Sequence, residues 1–154
     1  MQTLAELETH DMRKSAIHES GHALVARHYG IPAEPLIFRN AEVSDPLEFK
    51  TWLGTTRLND TNISPLRKRR VGLAGVAAEF LAGTHTGELD LMSFIQDSYG
   101  DSVETSDGWS RTDWESAEGW TETDLHAVFM ILTRRWEWLL LEVNSLIAYP
   151  DSDG

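Results

Sequence analysis

Two histidines and a glutamate near the start of the chain are the residues best suited to chemistry. The segment "AIHESGHALVARHYG" contains His18-Glu19-Ser20-Gly21-His22, which matches the HExxH pattern. On a helix, residues four positions apart share a face, so both imidazoles can bind one zinc ion. Glu19 lies one position on, where its carboxylate suits a general base acting on a water molecule beside the metal. The pattern predicts the site of a zinc peptidase.

The surroundings of the HExxH pattern strengthen this interpretation. A chance match is expected in roughly two of a hundred sequences with this content of His and Glu, so the pattern alone is weak. The segment favours a helix, yet Gly21, a poor helix former, stands in its middle. A glycine at that position indicates that another chain segment approaches closely.

The composition limits the class of protein. The chain has 154 residues, which suits one domain, predicted over residues 1–150 with a frayed tail at 151–154. It has no cysteine, so a metal must use nitrogen and oxygen ligands. The net charge of −12 argues against nucleic acid and anionic membranes as partners. The sequence shows no apolar membrane span, signal core or Gly-rich phosphate loop, so we expect a cytoplasmic protein that does not bind ATP.

The predicted elements favour a mainly α fold, a helical array with a small two- or three-stranded β element. The first helix is predicted over residues 3–29, with Thr3 and Glu6 as a capping box. The β-prone segments "PLIFR" and "TWLGTTRL" follow, and we expect a short strand in each. A second helix is predicted from Ser64, its N-cap, to a stop at Gly83.

The second half of the chain contains an unusual acidic segment. A shorter helix is predicted in "GELDLMSFIQDSYG", and one long helix capped by Thr121 forms the last element. Between them, residues 100–120 are predicted to form an acidic loop with three tryptophans, Trp109, Trp114 and Trp120. Such a loop either covers the metal site as a lid or packs its tryptophans back onto the domain, and both interpretations stay open.

Four segments across residues 13–135 resemble, in family order, the peptidase domain of the FtsH-type AAA zinc metalloproteases. "AIHESGHALVA" resembles the HEAGH segment, "WLGTTRL" a segment in which a glycine precedes a short edge strand, "VGLAGVAAEFLAG" the LGGRAAEE helix, and "TETDLHAVFMIL" the SNDL segment. The resemblance implies a mainly helical fold with a small β element. It also implies that peptides bind by strand addition at the edge near Gly54–Arg57.

The resemblance implies a third zinc ligand, Asp124, which completes a His₂-Asp set with one position open for water. Thr121 and Asp124 also match a variant capping box at the start of the last helix, so a structural role competes with the metal. Asp90, in "ELDLM", is the rival ligand because it follows the second helix more closely. The two aspartates remain alternatives.

The expected function follows from the motif and the resemblance together. Nothing in the sequence resembles the ATPase module or the membrane anchor of the FtsH-type proteases. We therefore expect a stand-alone zinc metallopeptidase that hydrolyses peptides or unfolded segments without ATP, or that works with a motor on a separate partner protein. One alternative is an inactive peptidase-like binding or regulatory module. Another is a regulatory HExxH peptidase that cleaves one repressor. The sequence indicates no oligomeric state.

Overall fold

The chain forms a helical array with one small sheet. The computed structural model describes residues 3–40, 51–60, 62–84 and 115–151. Its elements in chain order are helix α1 (Leu4–His28), strands β1 (Ala33–Arg39) and β2 (Trp52–Leu58), and helices α2 (Pro65–Glu79), α3 (Glu122–Arg134) and α4 (Trp136–Ala148). Helices make up 68% of the described residues, so the predicted mainly α class is confirmed. The shorter helix predicted around Asp90 lies outside these residues.

Helix α1 is the centre of the fold. It begins at the predicted residue, because the Thr3 side chain accepts a hydrogen bond from the backbone N–H of Glu6, which is one half of the predicted capping box. It ends before Gly30, whose φ of 76° is the left-handed conformation that glycine adopts most easily. From Ala16 to Ala26 almost every residue is buried, since α2, α4 and both strands pack around this half of the helix.

The two strands pair antiparallel and lie against α1. The register runs from Ala33 opposite Leu58 to Arg39 opposite Trp52. Beside β1, the backbone N–H of Asp151 donates a 2.9 Å hydrogen bond to the carbonyl of Ile37. The sequence assigns Asp151 to the frayed tail, but the structure holds it on the sheet.

Helix α2 begins and ends close to the predicted residues. Ser64 caps it by accepting a hydrogen bond from the backbone N–H of Arg67. Its second half, from Val71 to Glu79, is buried. A wider helical turn, Phe80–Thr84, follows and contains Gly83 at a φ of 87°, so the predicted stop at Gly83 is confirmed.

The prediction of one long final helix is wrong. The chain leaves helical geometry at Arg135, with φ −114° and ψ 22°, and this residue separates α3 from α4. The two helices bury different faces. Helix α3, with Leu132 buried, packs mainly on α2, whereas α4, with Leu139 buried, packs mainly on α1. One straight helix could not follow both neighbours, so tertiary packing decides where the helix breaks.

The end of the acidic segment folds onto α2. Residues 115–117 make one helical turn, and Ala117 is fully buried. Gly72 allows this contact, because a Cβ there would lie 2.9 Å from the backbone nitrogen of Ala117. Trp120 packs against the core, as one of the two interpretations expects. The other two tryptophans of the segment lie outside the described residues.

Within the described parts of the chain, no helix combines the length and the apolar character needed to cross a bilayer.

Candidate metal centre

The candidate site lies where α1 and α2 approach each other most closely. A Cβ on Gly21 would lie 2.7 Å from the carbonyl oxygen of Ala74 and 2.7 Å from the Cβ of Ala78. No larger residue fits at position 21 without separating the helices. The close approach that Gly21 indicated in the sequence is therefore confirmed, and it brings the backbone of α2 up to the HExxH segment.

His18 and His22 meet on the α2 side of α1. Their Nε2 atoms are 3.1 Å apart, and the rings stand nearly perpendicular at 79°. His22 is only 5% exposed, and the side chain of His18 is 12% exposed. The predicted sharing of one helix face is confirmed, and it directs both Nε2 atoms toward one point.

The other ring nitrogen of each histidine faces an oxygen atom on α2. Nδ1 of His22 lies 2.6 Å from the carbonyl oxygen of Val71, to which it donates a hydrogen bond. Nδ1 of His18 lies 3.6 Å from a carboxylate oxygen of Glu79. These acceptors favour the neutral tautomer that carries its proton on Nδ1 and its lone pair on Nε2. Both imidazoles therefore present the nitrogen that a metal uses.

The partners of the histidines lie on one face of α2. Val71, Gly75 and Glu79 are each four residues apart, which places them one above another on the helix. A Cβ on Gly75 would lie 2.5 Å from Nε2 of His18 and 2.6 Å from Nε2 of His22. Gly75 therefore leaves the space into which both Nε2 atoms project. Sequence reasoning missed the roles of Val71 and Glu79, although their spacing from Gly75 is a signal that could have found them.

The histidine pair fits a zinc ion. Zn–N bonds of about 2.0–2.1 Å in tetrahedral geometry separate two nitrogen ligands by about 3.3 Å. The 3.1 Å between the Nε2 atoms is close to this value. A histidine ligand usually donates a hydrogen bond from its other ring nitrogen, which fixes its tautomer. His22 donates such a bond to the backbone carbonyl of Val71, and Nδ1 of His18 faces the carboxylate of Glu79.

Glu19 points toward the sheet. Its carboxylate oxygen Oε1 accepts a 2.8 Å hydrogen bond from the hydroxyl of Thr56 on β2. The backbone of Gly54 lies directly on the side chain, since a Cβ there would be 2.5 Å from Cγ of Glu19. Glu19 is 8% exposed and adjacent in sequence to His18, which suits the predicted general base.

Asp124 lies in a different set of contacts. Its carboxylate accepts hydrogen bonds from Arg69 (2.9 Å), Arg70 (3.0 Å) and the backbone N–H of Thr121 (3.0 Å). The Thr121 side chain accepts in return from the backbone N–H of Asp124, which completes the predicted capping box. Burial raises the pKa of the Asp124 carboxyl, but these hydrogen bonds lower it by more, so the pKa lies below its ordinary value of 3.8.

The third ligand is not assembled in the part of the chain that the structure describes. There, no group of three or more His, Asp or Glu side chains is arranged to hold a metal. Asp124 as the third ligand stays a prediction, and its contacts favour the structural role that the sequence also allows. The rival Asp90 lies outside the described residues.

Comparison with protein-family models finds no match for this chain, and comparison with curated proteins finds none at a significant level. The resemblance to the FtsH-type peptidase domain therefore rests on its four sequence segments and remains a prediction.

Proposed function

We propose that this protein is a zinc-dependent metallopeptidase that hydrolyses peptide bonds in peptides or unfolded segments. The observation that carries the proposal is the pair of Nε2 atoms of His18 and His22, 3.1 Å apart, with each Nδ1 facing an oxygen on α2. Such supported histidine pairs are typical of zinc ligands. Glu19, which follows His18 in the sequence and is nearly buried, is the group expected to move the proton.

Each residue of the HExxH segment has a distinct role in this mechanism. A zinc ion, when bound, lowers the pKa of a water molecule toward neutrality and polarises the scissile carbonyl. Glu19 accepts a proton from the attacking water and then donates it to the leaving amine. His18 and His22 would hold the metal, and the carbonyl of Val71 keeps His22 in the tautomer that this requires.

Strand β2 is the proposed binding place for the substrate backbone. One edge of β2 pairs with β1, and no described strand pairs with its other edge. An extended peptide can add to that edge through backbone hydrogen bonds, as the resemblance implies. Gly54 and Thr56 of β2 contact Glu19, so a peptide on this strand lies near the base. Hydrolysis on this route needs no ATP.

The first experiment measures zinc per chain by elemental analysis in the wild type, His22→Ala and His126→Ala. We expect about one zinc in the wild type and in His126→Ala, because His126 is an exposed histidine paired with Glu122 on α3. We expect loss of zinc in His22→Ala. Absence of zinc from the wild type after incubation with excess metal would overturn the proposal.

The second experiment measures cleavage of a mixture of unstructured peptides by the zinc-loaded protein. Glu19→Gln keeps the shape of the side chain but cannot accept the proton, so we expect cleavage to fall by about 100-fold or more while zinc is retained. The same cleavage rate in Glu19→Gln as in the wild type would show that Glu19 is not the base.

A third set of variants decides between the two candidate third ligands. Asp90→Asn and Asp124→Asn are loaded with zinc and titrated with a chelator. The ligand variant should release zinc at a lower chelator concentration than the wild type, whereas the other should not. The arginine contacts of Asp124 favour Asp90→Asn as the variant that weakens binding.

One observation favours a second function, a peptidase-like binding module without turnover. Asp124, the ligand that the resemblance implies, is engaged by two arginines. A site with two histidines and no carboxylate ligand could bind a metal or a partner without hydrolysing anything. Retention of zinc with no cleavage in either the wild type or Glu19→Gln would favour this module.

A further inference from the structure

Strand β2 holds the side chain of Glu19 at two points. Gly54 and Thr56 are two residues apart on the strand, so they face the same side, toward α1. The missing side chain of Gly54 lets Cγ of Glu19 rest against the strand backbone. Thr56 then reaches the carboxylate with its hydroxyl. The side chain of Glu19 therefore has the strand on one side and its own helix on the other.

The hydroxyl of Thr56 is well placed to select one orientation of the carboxylate. It lies 2.8 Å from Oε1 of Glu19 and 3.1 Å from the backbone carbonyl oxygen of the same residue. A threonine hydroxyl has one proton to donate, and a bond to a charged carboxylate is stronger than one to a neutral carbonyl. With Oε1 engaged by Thr56, Oε2 is the oxygen left to take a proton from water, and it lies close to the backbone of Gly54, where an added Cβ would be 2.9 Å from it.

We propose that Thr56 is a positioning residue that orients the carboxylate of Glu19 for proton transfer. The inference rests on the proposed peptidase function and deepens it. It also connects substrate binding with the base, because Thr56 belongs to the strand on which the substrate backbone is proposed to lie. A shift of the strand moves the carboxylate with it, and a displacement of about 1 Å in a reacting group lowers rates by about 100-fold.

The test compares three threonine variants of the zinc-loaded protein. Thr56→Val keeps the shape but removes the donor, Thr56→Ser keeps the donor, and Thr133→Val, at an exposed threonine of α3 outside the proposed site, is the matched control. For Thr56→Val we expect kcat to fall about 10- to 100-fold, with KM within twofold and one zinc per chain. We expect Thr56→Ser to restore kcat to within about threefold and Thr133→Val to change neither constant.

A double variant separates positioning from a general loss of structure. If Thr56 acts through Glu19, adding Thr56→Val to Glu19→Gln should lower the residual rate no further. If Thr56→Val lowers the rate of Glu19→Gln by the same factor as it lowers the rate of the wild type, the two residues act independently and the inference is overturned. Wild-type kcat in Thr56→Val, or failure of Thr56→Ser to restore the rate, would also overturn it.

A crystal structure of Thr56→Val provides a readout that does not depend on activity. We expect the carboxylate of Glu19 to leave the position it has in the wild type, while His18 and His22 stay in place. An unchanged Glu19 would contradict the role of Thr56 even in an active protein. If the wild type cleaves none of the peptides, the proposed function fails, and this comparison still decides whether Thr56 orients Glu19.

Discussion

At the scale of single residues, Asp124 shows how one carboxylate can serve either a metal or the fold. It is 1% exposed and accepts hydrogen bonds from two arginines and a helix N-terminus. To bind a metal it would have to give up arginine partners that are themselves partly buried, and Arg70 also donates to the hydroxyl of Tyr29. Removing one charged residue from this set leaves the opposite charges of the others unpaired.

We expect Asp124→Asn to lower the free energy of unfolding by about 3 kcal/mol at neutral pH, because it leaves the charges of two partly buried arginines unpaired. The pKa of Asp124 is lowered in the folded state, so its stabilisation is full above its ordinary value of 3.8 and is lost as pH falls through the folded pKa. The difference between wild type and variant should therefore shrink below about pH 4.

Urea unfolding in the presence of a chelator measures this difference without any contribution from zinc. Glu122→Gln, in the same first turn of α3 but exposed, is the control and should change stability by less than about 0.5 kcal/mol. A loss in Asp124→Asn no larger than in this control would contradict the structural role.

His28, at the end of α1, should titrate below the ordinary value of 6.5. Burial lowers the pKa of His28, and the positive charges of Arg135 and Arg134 lower it further. Its contribution to stability is therefore lost as pH falls from 6.5 through the folded pKa. An NMR titration of the ring protons measures the midpoint directly. Arg135→Gln should raise it and Arg13→Gln should not, whereas a wild-type midpoint above 6.5 would contradict the prediction.

At the scale of elements, the contact between α1 and α2 is what builds the histidine pair. Small residues on both helices allow the approach, and the carbonyl of Val71 and the carboxylate of Glu79 then reach the rings. The pair is therefore a property of two helices, although both histidines belong to one.

We expect Gly75→Ala to abolish zinc binding and to lower stability by about 1–3 kcal/mol, because the new Cβ would overlap both Nε2 atoms. Gly72→Ala is the matched control. Its Cβ would meet residues 116 and 117 at a similarly short distance, and no histidine atom is among the three heavy atoms nearest to it. Zinc analysis and thermal unfolding of both variants test this. Equal zinc contents in the two variants would show that zinc binding does not specifically require glycine at position 75.

The sequence correctly predicted where helices begin, because these starts depend on contacts between residues close together in the chain. Helices α1, α2 and α3 begin at Thr3, Ser64 and Thr121 because each cap bonds to a backbone N–H three residues on. The break at Arg135 has no Gly or Pro beside it, so only packing on two different helices determines it. The arginines that bind Asp124 lie 55 and 54 positions away, a separation that local patterns do not reach.

At the scale of the whole molecule, zinc should act as a stabilising ligand of the folded chain. Zinc at about 1,000 times its Kd adds about 4 kcal/mol. For a chain of this size that raises Tm by roughly 8–16 °C. A net charge of −12 attracts any divalent cation, so magnesium is the control and should raise Tm much less. Calorimetry with zinc, with magnesium and with chelator tests this, and His22→Ala should show no zinc-dependent shift.

The hydrogen bond between His22 and Val71 joins residues 49 positions apart. A contact across so much chain is slow to form, because the loop must close first. The complete histidine pair therefore exists in the folded chain and not in the unfolded one, and a metal held there lengthens the lifetime of the folded state. Under the proposed peptidase function, unfolded copies of the chain are themselves substrates. The ion that activates a copy would then also protect it from self-digestion.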